Sequence, residues 1–117
     1  MATHNDTGRN AEKQAVEYLK GTGHEILETN FRYKRNEIDI IAQKEGLLVF
    51  IEVKARGDVS YGFPEDSVDD QKIERIHEAA EEYIETREWK GGIRFDIISI
   101  IATSTGDDAL SHFEDAF

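Results

Sequence analysis

Residues 36–56 read NEIDIIAQKEGLLVFIEVKAR. Two apolar runs, Ile38–Ala42 and Leu47–Val53, flank the polar Gln43-Lys44-Glu45-Gly46. Runs rich in Ile and Val, joined by a short loop containing Gly, predict a β-hairpin. Strands so continuously apolar imply burial on both faces, as in a sheet covered by helices. Yet Glu37, Asp39, Glu52 and Lys54 are set into them, and charges are seldom buried unless paired or bound to something. That conflict between pattern and charge marks the candidate site.

With Gln43–Gly46 as a four-residue loop, Ala42 faces Leu47, Asp39 faces Phe50 and Glu37 faces Glu52. Opposed residues project to one face of a sheet, so all four charged side chains share a side. Asp39 and Glu52 become diagonal neighbours, roughly 7–8 Å apart at the backbone. A slip of one residue would separate them onto opposite faces. An Asp followed one strand later by Glu-x-Lys resembles the pattern of the PD-(D/E)xK nuclease superfamily, here Asp39 … Glu52-Val53-Lys54. Hard carboxylate oxygens suit Mg²⁺ or Mn²⁺. The cation acidifies a bound water and neutralises the phosphate under attack. Lys54, two residues from Glu52, points the same way and would stabilise hydroxide or phosphate. The alternative is a solvated face of ion pairs among Glu37, Glu52 and Lys54, with Asp39 bonded to backbone.

Length and composition narrow the setting. A chain of 117 residues suits one domain with one core, residues 1–117. Hydrophobic content of 38%, with six Phe and four Tyr, argues against disorder. The chain has no apolar run long enough to span a membrane. MATHNDTGRN has no apolar core of a signal peptide. Without Cys there is neither a disulfide nor a thiolate zinc site. These features together predict a cytoplasmic protein. The four His are scattered without ligand spacing and read as surface or packing residues. The net charge of −11 is unfavourable for nucleic-acid binding, but it is concentrated. Residues 65–88 carry −7 and residues 103–117 carry −4, leaving the hairpin region nearly neutral. A cation bound there would turn it locally positive.

Outside the hairpin, Thr7 is placed to cap a helix from Gly8 with Ala15, Val16 and Leu19 on its inner stripe, ending at Gly21 or Gly23. Glu12 lies on or beside that stripe. It is either an N-terminal acid favoured by the helix dipole or a third acid of the site. Residues 24–33 read as a strand, and Arg32-Tyr33-Lys34-Arg35 is a solvated turn or a phosphate contact. GDVSYGFPED, residues 57–66, reads as a loop beside Lys54 and Arg56. Ser67–Glu88 reads as a helix with Val68, Ile73, Ile76, Ala80, Tyr83 and Ile84 inward, stopped by Gly91-Gly92. Gln71 and Lys72 near its start are either helix surface or site-facing. Ile93–Ala102 reads as a central strand whose Arg94 and Asp96 share a face, in a mutual or a cross-strand ion pair, STGDD as a turn, and ALSHFEDAF as an edge strand.

Along nearly the whole chain, from about Gly8 to Phe117, the sequence resembles the YraN-like proteins. That family in turn resembles Holliday junction resolvases and other restriction-endonuclease-like nucleases. Carrying the resemblance are Ala11-Glu12 with Ala15 and Tyr18-Leu19, Asn30-Phe31-Arg32, Asn36-Glu37-Ile38-Asp39, Phe50–Arg56, Tyr61-Gly62, Lys72, Arg94-Phe95-Asp96 and Ala116-Phe117. Ala11 and Asn36 stand where the family usually has Gly, and Asn tolerates a left-handed backbone. The resemblance implies an α/β fold with a restriction-endonuclease-like core, a mixed central β-sheet flanked by helices. It implies Glu12, Asp39 and Glu52 as ligands of Mg²⁺ or Mn²⁺ and Lys54 as the catalytic cation. Arg32, Arg35, Arg56, Gln71 and Lys72 are the candidate substrate contacts. By family analogy the protein is a candidate homodimer.

Three functions stay open on the sequence. One is a metal-dependent endonuclease acting on DNA, with branched or damaged DNA among its candidate substrates. Another is a nucleic-acid-binding module of nuclease fold without catalysis. The third is an interaction protein whose acidic helix recruits a basic partner.

Overall fold

In the computed structural model, which describes residues 4–56, 69–101 and 108–117 (backbone only for 4–9 and 56), the apolar runs occupy the middle of a five-stranded sheet. The elements in chain order are α1 (His4–Gly21), β1 (Glu25–Tyr33), β2 (Asn36–Lys44), β3 (Leu47–Arg56), α2 (Asp70–Arg87), β4 (Gly92–Ile101) and β5 (Ala109–Phe113). The strands lie in sequence order, and only β3 and β4 run parallel. That parallel pair is joined through α2, because parallel strands need a crossover. The sheet is therefore mixed, with β1 and β5 at its edges.

Each central strand feeds two cores. Ile40, Ala42, Val49 and Ile51 pack with Ala11, Ala15 and Leu19 of α1. Ile41, Leu48 and Phe50 pack with Ile76, Ala79, Ala80 and Tyr83 of α2. Burial on both faces is what the unbroken apolar runs required. On α2, Ile76, Ala80 and Tyr83 are buried as expected and Ala79 joins them, while Ile73 and Ile84 are half-buried.

Several boundaries and one register differ from the sequence reading. The hairpin turn is two residues, Glu45-Gly46, not four, because both take positive φ (51° and 80°). Tight two-residue hairpins favour that conformation, since its twist matches the strands. Gln43 and Lys44 thus continue the ladder opposite Leu48 and Leu47. Phe50 faces Ile41 rather than Asp39, a shift of two residues that leaves every side chain on its expected face. α1 begins at His4, so Thr7 lies inside it and does not cap it. α2 begins at Asp70 with Asp69 as its cap, Asp69 Oδ1 accepting the Lys72 N–H at 2.8 Å. It stops at Glu88 in a left-handed conformation, not at Gly91-Gly92. Gly92 already belongs to β4, and a Cβ at Gly91 would stand 2.5 Å from the Gly46 carbonyl. Gly91 therefore serves the close approach of the hairpin turn. β1 starts at Glu25 and bulges between Ile26 and Glu28. The loop of residues 57–66, Ser67, Val68, Ala102 and the turn residues 103–107 lie outside the described residues. Among those described, no helix is long and apolar enough to cross a membrane.

Candidate functional site

Where β2 and β3 part, their last matched residues are Ile40 and Ile51. Two positions further along β3, the Val53 N–H donates to Asp39 Oδ2 at 2.8 Å. The side chain of Asp39 thereby takes a backbone donor, and its carboxyl lines the same cleft as Glu52. Glu52 is 6% exposed. Two ammonium groups converge on its Oε1, Lys72 Nζ of α2 at 3.1 Å and Lys54 Nζ at 3.9 Å. The cleft above this group has a volume of about 390 Å³. Asn36, Glu37, Asp39 and Glu52 line it from the strands, Arg35 from the turn, and Lys72, Arg75 and Ile76 from α2.

The electrostatics follow from this crowding. Burial and the charge of Glu52 push Asp39 up to about 7, against the lowering effect of the Val53 N–H. Burial and the adjacent Lys72 lower Lys54. Burial opposes the charge of Lys72 too, but the contacts with Lys54 and Glu52 raise it. Asp39, Glu52 and Lys72 thus line one cleft with Lys54 paired to Glu52, and Asp39 is the acid pushed up towards neutrality.

Of the residues singled out in the sequence, Asp39, Glu52, Lys54 and Lys72 come together, and Glu37 and Arg35 line the same cleft. Arg32 is tied to Glu37 at 3.1 Å. Gln71 is exposed at the start of α2 and is not among the lining residues. The Arg56 side chain lies outside what is described. Glu12 accepts a hydrogen bond of 2.7 Å from Asn30 Nδ2 and lines a separate shallow groove with Lys13 and Val16. Its charge adds to the rise of Asp39, and burial followed by nearby Glu37 raises Glu12 itself. Among the described residues, no three acidic or His side chains form a cluster that could hold a metal ion.

Comparison with known proteins gives the family. A family model described as "Uncharacterised protein family UPF0102" matches residues 11–100. The chain belongs to this family. A UPF0102 protein of Flavobacterium psychrophilum is 44% identical over 117 residues, covering 100% of this chain and 98% of the relative. One from Persephonella marina is 43% identical over 111 residues, covering 94% and 91%. One from Chlorobium limicola is 45% identical over 116 residues, again covering 94% of this chain and 90% of the relative. The YraN-like resemblance and the UPF0102 assignment describe one family.

In this UPF0102 chain, sequence reading missed two features. Arg75 joins the cleft because it follows Lys72 by three positions on one face of α2. The second is a buried network around Asp96, which is fully buried. Arg94 donates to both its oxygens at 2.8 Å, the Asp115 N–H donates at 3.0 Å, and His112 Nε2 stands 2.7 Å away. A carboxylate only accepts, so Nε2 carries a proton, and Nδ1 is hydrogen-bonded with the Tyr18 hydroxyl at 2.9 Å. The Arg94–Asp96 pair was readable from their i, i+2 spacing. The partnership of Tyr18 with His112, 94 positions apart, has no signal in a single sequence.

Proposed function

We propose that this UPF0102 chain is a divalent-metal-dependent nuclease with a restriction-endonuclease-like core that hydrolyses DNA phosphodiester bonds. The observation that carries the reading is the carboxyl pair Asp39–Glu52, held at the parting of β2 and β3 beside Lys54 and Lys72. The donor set fits Mg²⁺ or Mn²⁺. Two hard carboxylates hold each other at a cost that a cation relieves, and an open cleft leaves room for the waters such ions keep. When bound, the cation would acidify a water and neutralise charge on the phosphate. Asp39 must give up its proton to bind it, while its contact with the Val53 N–H holds the carboxyl in place. Glu12 is an outer acid whose charge strengthens the pull on the cation, since direct ligation would cost its bond to Asn30. Lys54 places an ammonium beside Glu52 to hold the attacking hydroxide or the phosphate. Arg35 and Arg75 line the cleft where a phosphate backbone would enter.

A second reading is a nucleic-acid or protein-binding module without catalysis. Its protein-binding form is favoured by the exposed acids Glu74, Glu78, Glu81 and Glu85 on α2 and by the net charge of −11, which suit a basic partner. Incubation with branched, single-stranded and duplex DNA, with Mg²⁺ or Mn²⁺, separates the two. The nuclease reading expects metal-dependent cleavage that is abolished in Lys54→Ala and Glu52→Gln. Retention of DNA without cleavage at any metal would transfer the protein to the second reading.

A further inference from the structure

Lys72 has a shorter contact with Glu52 than the motif lysine does, 3.1 Å against 3.9 Å. It reaches the same oxygen, Oε1, from the opposite wall of the cleft, because α2 packs across the sheet. Glu52 is almost fully buried, and a buried carboxylate needs a compensating charge. Asp39 cannot provide it, being a second acid in the lining of the same cleft. Lys54 provides part of it at the longer distance. Among the described residues Lys72 therefore stands as the nearest cation to the oxygen that a divalent ion would have to take.

We propose that Lys72 is an internal counter-cation of Glu52 that a divalent metal must displace, so that it weakens metal binding and is released into the cleft when metal binds. The proposal rests on the nuclease-site reading and deepens it. Lys72 sits on a helix side chain with rotatable bonds and is 36% exposed, so it can swing away without unfolding anything. Lys54 is 19% exposed and fixed on β3, so it is the lysine that stays. Release of Lys72 would leave its ammonium facing the cleft, beside Arg75, where a phosphate can use it. It is a positioning residue for the metal site before it is anything else.

The test is Mn²⁺ affinity, read from the free Mn²⁺ paramagnetic signal and independently by calorimetry, without DNA. Wild type is compared with Lys72→Gln, Lys72→Arg and Arg75→Gln, each checked for folding by circular dichroism. Arg75 is the control for charge alone, since it lines the cleft and no ion pair joins it to Glu52 among the described residues. Lys72→Gln should bind Mn²⁺ about tenfold more tightly than wild type, which is about 1.4 kcal/mol. Lys72→Arg should restore weak binding, and Arg75→Gln should change affinity much less than Lys72→Gln does. Equal affinity in wild type and Lys72→Gln would overturn the proposal and leave the nuclease reading standing. So would equal gains in Lys72→Gln and Arg75→Gln, which would make the effect one of net charge. Binding seen only in Lys72→Gln would support displacement in its strongest form. Absence of binding in all four proteins would overturn the proposal and the metal-dependent reading together.

Discussion

Two aspartates of the same sheet meet opposite fates. Asp96 on β4 is fully buried, yet hydrogen bonds from His112, Arg94 and the Asp115 N–H outweigh its burial and lower its pKa. Asp39 on β2 accepts one backbone N–H, faces a second acid, and is raised to about 7. Burial acts alike on both, so the difference lies in the partners. Around Asp96 every partner donates, and the group ties β4 to β5, α1 and the C-terminal segment. Among the described residues the arrangement around Asp39 and Glu52 is incomplete, since the two ammonium groups of Lys54 and Lys72 are both placed on Glu52. A satisfied network holds a fold together, whereas an unsatisfied one invites a ligand.

The largest effect that would break this comparison is at Asp96. Asp96→Ala leaves Arg94 and His112 without their acceptor and should cost about 3–5 kcal/mol in urea unfolding. A loss under about 1 kcal/mol would mean the network is not structural.

Asp39 should behave in the opposite sense. Its folded carboxyl binds a proton more tightly than the unfolded one. The stability that Asp39 contributes is therefore fully present below about pH 4 and is lost as pH rises through about 7. Asp39→Asn keeps an acceptor for the Val53 N–H and removes the repulsion with Glu52. At pH 8 it should be more stable than wild type by about 1 kcal/mol or more. Its unfolding midpoint should also lack the decline of the wild type between those pH values. Asp39→Ala is the poorer probe, since it strands the Val53 N–H. Asp96, with its lowered pKa, contributes stability that is present above about pH 4 and is lost as pH falls further. A wild-type profile flat from pH 4 to 8, with Asp39→Asn superimposed on it, would erase the contrast.

The smallest effect is at the rim of the satisfied network. Tyr18→Phe removes the hydroxyl that serves His112 Nδ1 and should cost about 1 kcal/mol by thermal or urea melts. A cost as large as that of Asp96→Ala would show that the relay, rather than the aspartate, carries the stability.

Much of this was written in the chain. Continuous apolar runs predicted strands buried on both faces, and the cores on either side of β2 and β3 are the result. Period-two alternation brought Asp39 and Glu52 to one cleft even though the turn was two residues shorter than expected. A register error of two is invisible to alternation, because it returns each residue to its own face. Turn length was lost because Glu45 adopts a positive φ that its side chain gives no reason to expect. The end of α2 lies at Glu88 as expected, but the residue that stops it was misassigned for the same reason, Glu88 itself taking the left-handed position that Gly was expected to fill. Glu12 was legible as an acid near the site, but not its bond to Asn30, which depends on how α1 crosses β1. Arg75 and His112 are ordinary in sequence and acquire partners only through long-range packing.

Whether the Asp39–Glu52 pair takes a divalent cation is directly measurable. Thermal melts of wild type and Glu52→Gln at pH 8, with and without millimolar Mn²⁺, test it most directly. A ligand that binds the folded state raises its stability by an amount set by concentration over Kd. Mn²⁺ should raise the wild-type Tm and leave that of Glu52→Gln unchanged. A wild-type Tm indifferent to Mn²⁺, or one raised equally in both proteins, would contradict it.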